Sequence, residues 1–190
     1  MRIKARIEGV TPLLTCRFTD EAAGKATDGT GGALVGAKAT PHEQASASRY
    51  LDESGKEIIP QPNLFRCIMD GGIFFKAGKS KVTTQKSSMI PACLDMAEAY
   101  YPLLHKQPWK VDTRPVRIPA TGGRILRHRA CFDDWALEFE MVLDETMLSA
   151  KLMREIVDAS GKRIGIGDFR PGCKGPFGKF VVTKWVESKK

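Results

Sequence analysis

The chain has 190 residues, with 30 lysines and arginines against 22 aspartates and glutamates, so its formal net charge is +8. A hydrophobic fraction of 42% supports the core of one domain, and no run approaches the roughly 20 apolar residues of a membrane-spanning helix. The five cysteines include no C-x-x-C pair, which excludes a zinc finger, and their odd number argues against a disulfide framework. We therefore predict a single cytoplasmic domain over residues 1–190, with no membrane segment, metal or cofactor.

The first half of the chain begins with a strand and continues into a long irregular insertion. Polar and apolar residues alternate over residues 2–8, which indicates a half-buried β-strand. Residues 19–57 are rich in Gly, Ala, Ser and Thr and follow neither a helix nor a strand period, so we predict a mobile insertion with one short helix. Asn63 is then the candidate N-cap of an amphipathic helix that Gly71–Gly72 ends, and residues 77–88 are predicted as a basic loop.

The second half is predicted as three strands, a helix, a glycine-rich loop and a final strand. The strands lie at 110–118, 124–132 and 135–143, the helix at 147–157 with Gly161 as its C′ residue, and the last strand at 180–186. With one strand treated as an addition, the chain has the βαββαβ order of a ferredoxin-like sandwich. We therefore predict an α+β fold in which an antiparallel sheet carries its helices on one face.

Positive charge is concentrated in particular stretches of the chain. Residues 103–130 contain seven bases and one acid, residues 161–184 contain six bases and one acid, and residues 131–160 contain eight acids and two bases. A surface polarised in this way attracts a polyanion. The candidate nucleic-acid-binding side chains in the first basic stretch and in the predicted basic loop are Arg114, Arg117, Arg124, Arg127, Arg129, Lys79 and Lys81.

Five glycines mark the loop at 165–178, before the last strand. Glycines let backbone N–H groups approach a phosphate closely, and basic side chains neutralise it. The loop follows a helix and precedes a strand, the reverse of a dinucleotide-binding fingerprint, and no G-K-[ST] follows as in a P-loop. The alternative is a connection that only turns the chain. The ring of Phe169 would stack on a base. The candidate binding residues of this loop and its flanks are Arg163, Gly165, Gly167, Phe169, Arg170, Lys174, Gly178 and Lys179.

Two of these segments resemble a known family. The segment IIPQPNLFRCIM (58–69) resembles the start of the first helix in the RAMP superfamily, the repeat-associated RNA-binding proteins of CRISPR systems, and TPLL (11–14) is similar to the opening of these proteins. The segment SGKRIGIGDFRPGCKGPFGKF (160–180) resembles the RAMP glycine-rich loop, and its G-I-G-D-F-R-P run also looks like a motif of uncharacterised phage and prophage proteins. The resemblance implies a ferredoxin-like fold that binds single-stranded RNA through this loop.

Three functions remain open at this point. The resemblance implies either a non-catalytic subunit that coats a single strand, RNA rather than DNA, and assembles side by side with copies of itself, or a metal-independent endoribonuclease. An endoribonuclease of this type needs a histidine near the first helix, and His42 is the residue in that position. The third function is a phage or prophage assembly protein whose acidic stretch, 131–160, contacts the basic stretch, 103–130, of a neighbour. We favour the non-catalytic nucleic-acid-binding protein, because the basic stretches outnumber the acidic one.

Overall fold

The computed structural model describes residues 1–18, 39–117 and 122–188, so part of the predicted insertion lies outside the described residues. Strands occupy β1 Arg2–Gly9, β2 Leu13–Leu14, β3 Ile58–Pro60, β4 Lys76–Ala77, β5 Ser80–Lys81, β6 Leu94–Asp95, β7 Tyr100–Pro102, β8 Lys110–Arg117, β9 Arg124–Phe132, β10 Ala136–Leu143 and β11 Phe180–Ser188. Helices occupy α1 Pro41–Ala47, α2 Gln61–Gly71, α3 Ile90–Cys93 and α4 Ala150–Arg163, with 3₁₀ turns at Gly72–Phe74 and Pro171–Cys173. The fold is therefore mixed α+β, as predicted.

The main sheet has four strands in the order β11–β1–β10–β6, and each neighbouring pair is antiparallel. Alternation along β1 buries Ile3, Ala5 and Ile7 and leaves Lys4 and Arg6 outside the core. The buried residues of β1 and β10 share one hydrophobic cluster with the buried faces of α2 and α4. The opposite face of this sheet carries the charged residues of the alternation, as the sequence predicts.

Both long helices differ from their predicted ends. Helix α2 begins after Pro60, which makes no side-chain cap, so Asn63 lies in the first turn and is not the N-cap. Helix α4 continues through Gly161 to Arg163, so Gly161 is not a C′ residue. A β-carbon at Gly161 would overlap the carbonyl oxygen of Phe180, which explains the glycine: it allows α4 to pack closely against β11.

A second sheet, in the order β2–β9–β8, is built around the β8–β9 hairpin. Helix α1 packs against this hairpin and begins with a capping box between Thr40 and Glu43. Ser48, directly after α1, is buried, and its hydroxyl accepts a hydrogen bond from the backbone N–H of Ala130 (3.0 Å). Residues 39–57 therefore belong to the packed structure, which differs from the mobile insertion expected over 19–57.

The predicted basic loop at 77–88 starts within a small hairpin. Strands β4 and β5 pair so that Lys76 lies opposite Lys81 and Ala77 opposite Ser80. Lys79 and Lys81 therefore sit on the turn and second strand of this hairpin.

No helix in the described part of the chain is long and apolar enough to cross a membrane.

Candidate functional site

The β8–β9 hairpin places four exposed arginines opposite one another. In its register Arg114 faces Arg127 and Arg117 faces Arg124. Like charges directly opposite on neighbouring strands destabilise the pair. Arg114 forms an ion pair with Asp112 (3.0 Å), and the other three arginines form no salt bridge within the described residues. The hairpin thus carries positive charge that this part of the chain does not neutralise.

The glycine-rich loop packs against the base of this hairpin. The guanidinium of Arg114 lies 4.7 Å from the centre of the Phe177 ring, and Arg129 forms an ion pair with Asp168 of the loop. The structure therefore brings together the two basic stretches that the sequence analysis singled out separately. Arg129 is buried and engaged with Asp168, so this predicted binding residue has a structural role instead.

Two glycines of the loop do not present their amides as expected. The N–H of Gly165 donates to the carbonyl of Ser160 (2.9 Å), and the N–H of Gly178 donates to the carbonyl of Pro12 (2.8 Å). Neither amide is free for a phosphate, contrary to the prediction. The N–H of Gly167 has no hydrogen-bond partner within the described residues, and Gly167 lines a cavity.

This cavity has a volume of about 290 Å³ and lies between the start of α2 and the glycine-rich loop. Its basic side chains are Arg66, which pairs with Asp70 (2.8 Å), and Arg170, whose Nη1 donates to the carbonyl of Gly167 (3.1 Å). Cys16 is exposed, and partial desolvation of its thiol at the cavity wall, and next Asp168, raise its pKa, so Cys16 is a neutral thiol at neutral pH. The full lining is Cys16, Tyr50, Asn63, Arg66, Ile166, Gly167, Asp168 and Arg170.

Phe169 is a strained and exposed aromatic residue beside this cavity. Its φ of +47° lies in the left-handed region that bulky residues rarely adopt, and 37% of its surface is exposed. Its ring centre lies 6.1 Å from that of Phe177, which Arg114 covers. Strained backbone of this kind is concentrated at functional sites, so Phe169 is a candidate platform for a stacked base.

The remaining predicted basic residues lie in two places. Arg163, Lys79 and Lys81 lie near or on the β4–β5 hairpin, and Lys174 and Lys179 lie in the glycine-rich loop and at its end. The guanidinium of Arg163 lies 4.5 Å from the centre of the Phe74 ring, in the 3₁₀ turn that leads to the β4–β5 hairpin with Lys79 and Lys81. Lys174 is exposed and left-handed (φ +63°). The backbone N–H of Lys179 donates to the hydroxyl of Thr11 (3.0 Å), which anchors the end of the loop to the segment between β1 and β2.

The rings of His42 and His105 each contact other residues of the fold. The His42 ring stacks on Trp109 with 4.9 Å between ring centres. His105 lies 3.7 Å from Glu57 and shares a hydrogen bond with the carbonyl of Gln107. His42 is thus held against an indole, and among the described residues its ring shares no hydrogen bond with a second acid or base that would complete an acid–base pair.

Four of the eight acids in the acidic stretch form ion pairs inside the chain. On β10, Glu138 pairs with Arg6 (2.7 Å) and Glu140 pairs with Arg2 (2.9 Å). Asp158 pairs with Arg154, and Asp133 pairs with Lys110. These carboxylates are therefore not free to bind the basic stretch of a neighbouring copy.

No set of three or more His, Cys, Asp or Glu side chains in residues 1–18, 39–117 and 122–188 is arranged to bind a metal ion. The sequence matches no protein-family model. No curated protein matches it with significance.

Proposed function

We propose that the chain is a non-catalytic protein that binds single-stranded nucleic acid, RNA rather than DNA, with a ferredoxin-like fold of RAMP type. One observation carries the proposal. Arg114 lies opposite Arg127 and Arg117 lies opposite Arg124, on an exposed hairpin that packs against the glycine-rich loop. Opposed guanidinium groups repel each other in the free protein and gain attraction when a phosphate lies between them. The choice of RNA rests on the RAMP resemblance.

The connectivity supports the ferredoxin-like assignment. Helix α2 lies between β1 and β6 in the chain, and α4 lies between β10 and β11. When the four strands of the main sheet and the two long helices are considered alone, their order along the chain is βαββαβ, and the sheet order β11–β1–β10–β6 places the first and third of these strands at its centre.

The proposed contacts divide into phosphate binding and base stacking. The hairpin arginines bind phosphates along the strand, because contacts to phosphate position a nucleic acid without reading its sequence. The cavity beside the loop holds one further phosphate, between the free N–H of Gly167 and the guanidinium groups of Arg66 and Arg170. Phe169 stacks on a base, which requires an unpaired strand with accessible base faces.

Salt dependence tests this function. A fluorescently labelled single-stranded RNA should bind, and the logarithm of the binding constant should fall linearly with the logarithm of salt concentration, with a slope of roughly −0.7 for each neutralised phosphate. Fluorescence anisotropy at several salt concentrations measures the slope, with DNA of the same sequence and an RNA duplex as comparisons. Binding that is absent, or that does not change with salt, would contradict the proposal.

The proposed function also predicts that RNA survives. We expect a structured RNA incubated with the protein and a metal chelator to stay intact, because His42 stacks on Trp109 and shares no hydrogen bond with a second acid or base among the described residues. Denaturing electrophoresis over several hours measures cleavage. If the RNA is cut cleanly and His42→Ala abolishes the cutting, the protein is an endoribonuclease.

Self-association along the strand is the remaining part of the proposal. It rests on the RAMP resemblance, and its partners are further copies of this chain. Sedimentation of the protein with an oligonucleotide long enough for several copies should show stepwise assembly, whereas a fixed one-to-one complex would exclude side-by-side coating.

A further inference from the structure

Strand β11 lies at the edge of the main sheet and is long and unprotected. It has 9 residues, Phe180–Ser188, and β1 is its one sheet partner among the described residues. The other outer strands of the two larger sheets are blunted: β2 and β6 have 2 residues each, and β8 contains Pro115, which has no N–H to donate to a further strand. An open edge of this length is a template for pairing with another chain.

The hydrogen bonds of β1 show how its residues alternate between its two neighbours. Met1 and Leu143 exchange two backbone hydrogen bonds (both 2.7 Å), and the N–H of Gly9 donates to the carbonyl of Trp135 (2.8 Å). In an antiparallel sheet, successive residues of a strand point their N–H and C=O toward opposite neighbours. Odd-numbered residues of β1 therefore face β10, and even-numbered residues face β11.

The same alternation identifies the free backbone groups of β11. Lys4 of β1 faces β11 and lies opposite Val186, so Val186 faces β1 and the residues on either side of it face outward. The N–H and C=O of Trp185 and of Glu187 therefore point away from the sheet. No described residue hydrogen-bonds to these backbone groups.

Side chains of α4 reach the outer edge of β11 near its start. Arg154 donates from Nη2 to the carbonyl of Val182 (3.2 Å), and its guanidinium lies 5.3 Å from the centre of the Trp185 ring. Beyond this point every residue of 184–188 except Trp185 is exposed. The last part of the edge is therefore open among the described residues.

We propose that residues 184–188 of two copies of this chain pair as antiparallel strands about a two-fold axis at Val186. The axis places Val186 opposite Val186 of the second copy and Trp185 opposite Glu187 of the second copy. In this register Trp185 and Glu187 exchange two backbone hydrogen bonds on each side of the axis, so every free backbone group of both residues is paired. The two main sheets then form one continuous sheet.

The side chains of this register favour a second copy as the partner. The Val186 side chain is 45% exposed, and it meets its own counterpart across the axis. Lys184 lies opposite Ser188, so no like charges are opposed, whereas a register centred on Lys184 would oppose two lysines. Within one chain the indole Nε1 of Trp185 donates to Oε1 of Glu187 (2.9 Å), and the register brings the same two side chains together across the interface. A surface that complements itself is what a two-fold interface requires.

This pair closes at two copies and needs no nucleic acid, so it differs from assembly side by side along a strand. It uses none of the residues proposed to contact nucleic acid, so the two proposals succeed or fail separately. Salt also distinguishes them. Each copy carries a formal net charge of +8, so salt screens the repulsion between copies and should strengthen the pair, whereas it weakens the binding of RNA.

Sedimentation equilibrium of the protein, freed of nucleic acid, tests the pairing. The average mass should rise with protein concentration from the 21.0 kDa of one chain toward twice that value. The amides of Trp185 and Glu187 should exchange with solvent more slowly at the concentrations where the pair dominates. A mass of one chain at every concentration, or equal exchange of these amides in both states, would overturn the proposal.

A matched pair of valine variants locates the interface. Val186→Lys opposes two positive charges at the axis and should weaken the pairing about tenfold. Val181→Lys adds the same charge on the same face of β11 but lies outside the paired residues, and Val181 is similarly exposed, at 38%. We expect Val181→Lys to pair like the unmodified protein. Equal behaviour of the two variants would show that residues 184–188 are not the interface.

Mixing two variants tests the position of the axis. Val186→Glu alone should also pair weakly, because it opposes two negative charges. An equal mixture of Val186→Lys and Val186→Glu should pair more strongly than either variant alone, since opposite charges then meet at the axis. A mixture that pairs no better than its components would contradict the two-fold register. Should either variant unfold, the mass and amide exchange of the unmodified protein decide the matter.

Discussion

Replacing Arg117 and Arg124 together by glutamine should weaken the binding of single-stranded RNA about tenfold or more at low salt. The two arginines lie directly opposite each other on the hairpin and form no salt bridge within the described residues. Removing two phosphate contacts should make the salt dependence shallower by about 1.4 in log–log slope, at roughly 0.7 for each contact. The melting temperature should stay the same or rise, because opposed like charges destabilise a strand pair. Anisotropy titrations and thermal unfolding measure the two effects on the same samples.

The control for this variant changes the net charge equally at another place. Lys151 and Lys162 are exposed on α4, and Lys151→Gln with Lys162→Gln also removes two positive charges. We expect this control to bind RNA nearly as the unmodified protein does. If both double variants weaken binding to the same extent, the attraction comes from the overall charge and the hairpin is not the binding surface.

Local patterns in the sequence were sufficient to predict the regular elements. Strand β10 is clear in the sequence because a large apolar residue occupies every second position from Leu137 to Leu143, and all four of these side chains are buried. The amphipathic faces of α2 and α4 likewise predict their positions, although not their ends. Gly161 shows why: a glycine late in a helix commonly marks its end, but here it is required by contact with Phe180, which is distant in sequence.

The parts of the candidate site that sequence analysis missed depend on contacts between distant residues. Arg129 shares a hairpin face with Arg127 and is one of several basic residues on its strand, so nothing local separates it from a binding residue. Only the fold places Asp168 beside it and buries the pair. The pairing on the other edge of β10 could not be predicted either, because it joins residues distant in sequence: Ala136 pairs with Leu104, and Val142 pairs with Asp95.

The glycine-rich loop shows how one pattern can serve two purposes. Its glycines were predicted to bring amides to a phosphate, and the structure instead assigns most of them to close packing and to left-handed backbone. A β-carbon at Gly167 would overlap the carbonyl oxygen of Leu14, and one at Gly175 would overlap that of Phe169. The same packing positions Phe169, Arg170 and the free amide of Gly167, so structure and the proposed binding role are compatible in this loop.

Gly178→Ala should therefore destabilise the protein strongly, by about 3 kcal/mol or more. The φ of Gly178 is +68°, and a β-carbon there would overlap the carbonyl oxygen of Ile166. The residue also donates its N–H to Pro12 and accepts a hydrogen bond from the N–H of Ile166 (2.9 Å), so it cannot move away without breaking both. For a chain of this size, about 3 kcal/mol lowers the melting temperature by roughly 6–12 °C, which thermal unfolding measures directly.

The same loop offers a matched control for this prediction. Gly172 is exposed, its φ is not in the left-handed region, and the nearest atom to an added β-carbon would be 3.4 Å away, an ordinary contact. Gly172→Ala should therefore melt close to the unmodified protein. If Gly178→Ala is equally stable, the loop adopts another conformation in solution, and the positions derived for Phe169, Arg170 and the Gly167 amide no longer hold. If Gly178→Ala is destabilised and Gly172→Ala is not, the loop is a rigid support, and a loss of RNA binding on changing Arg170 reflects a lost contact.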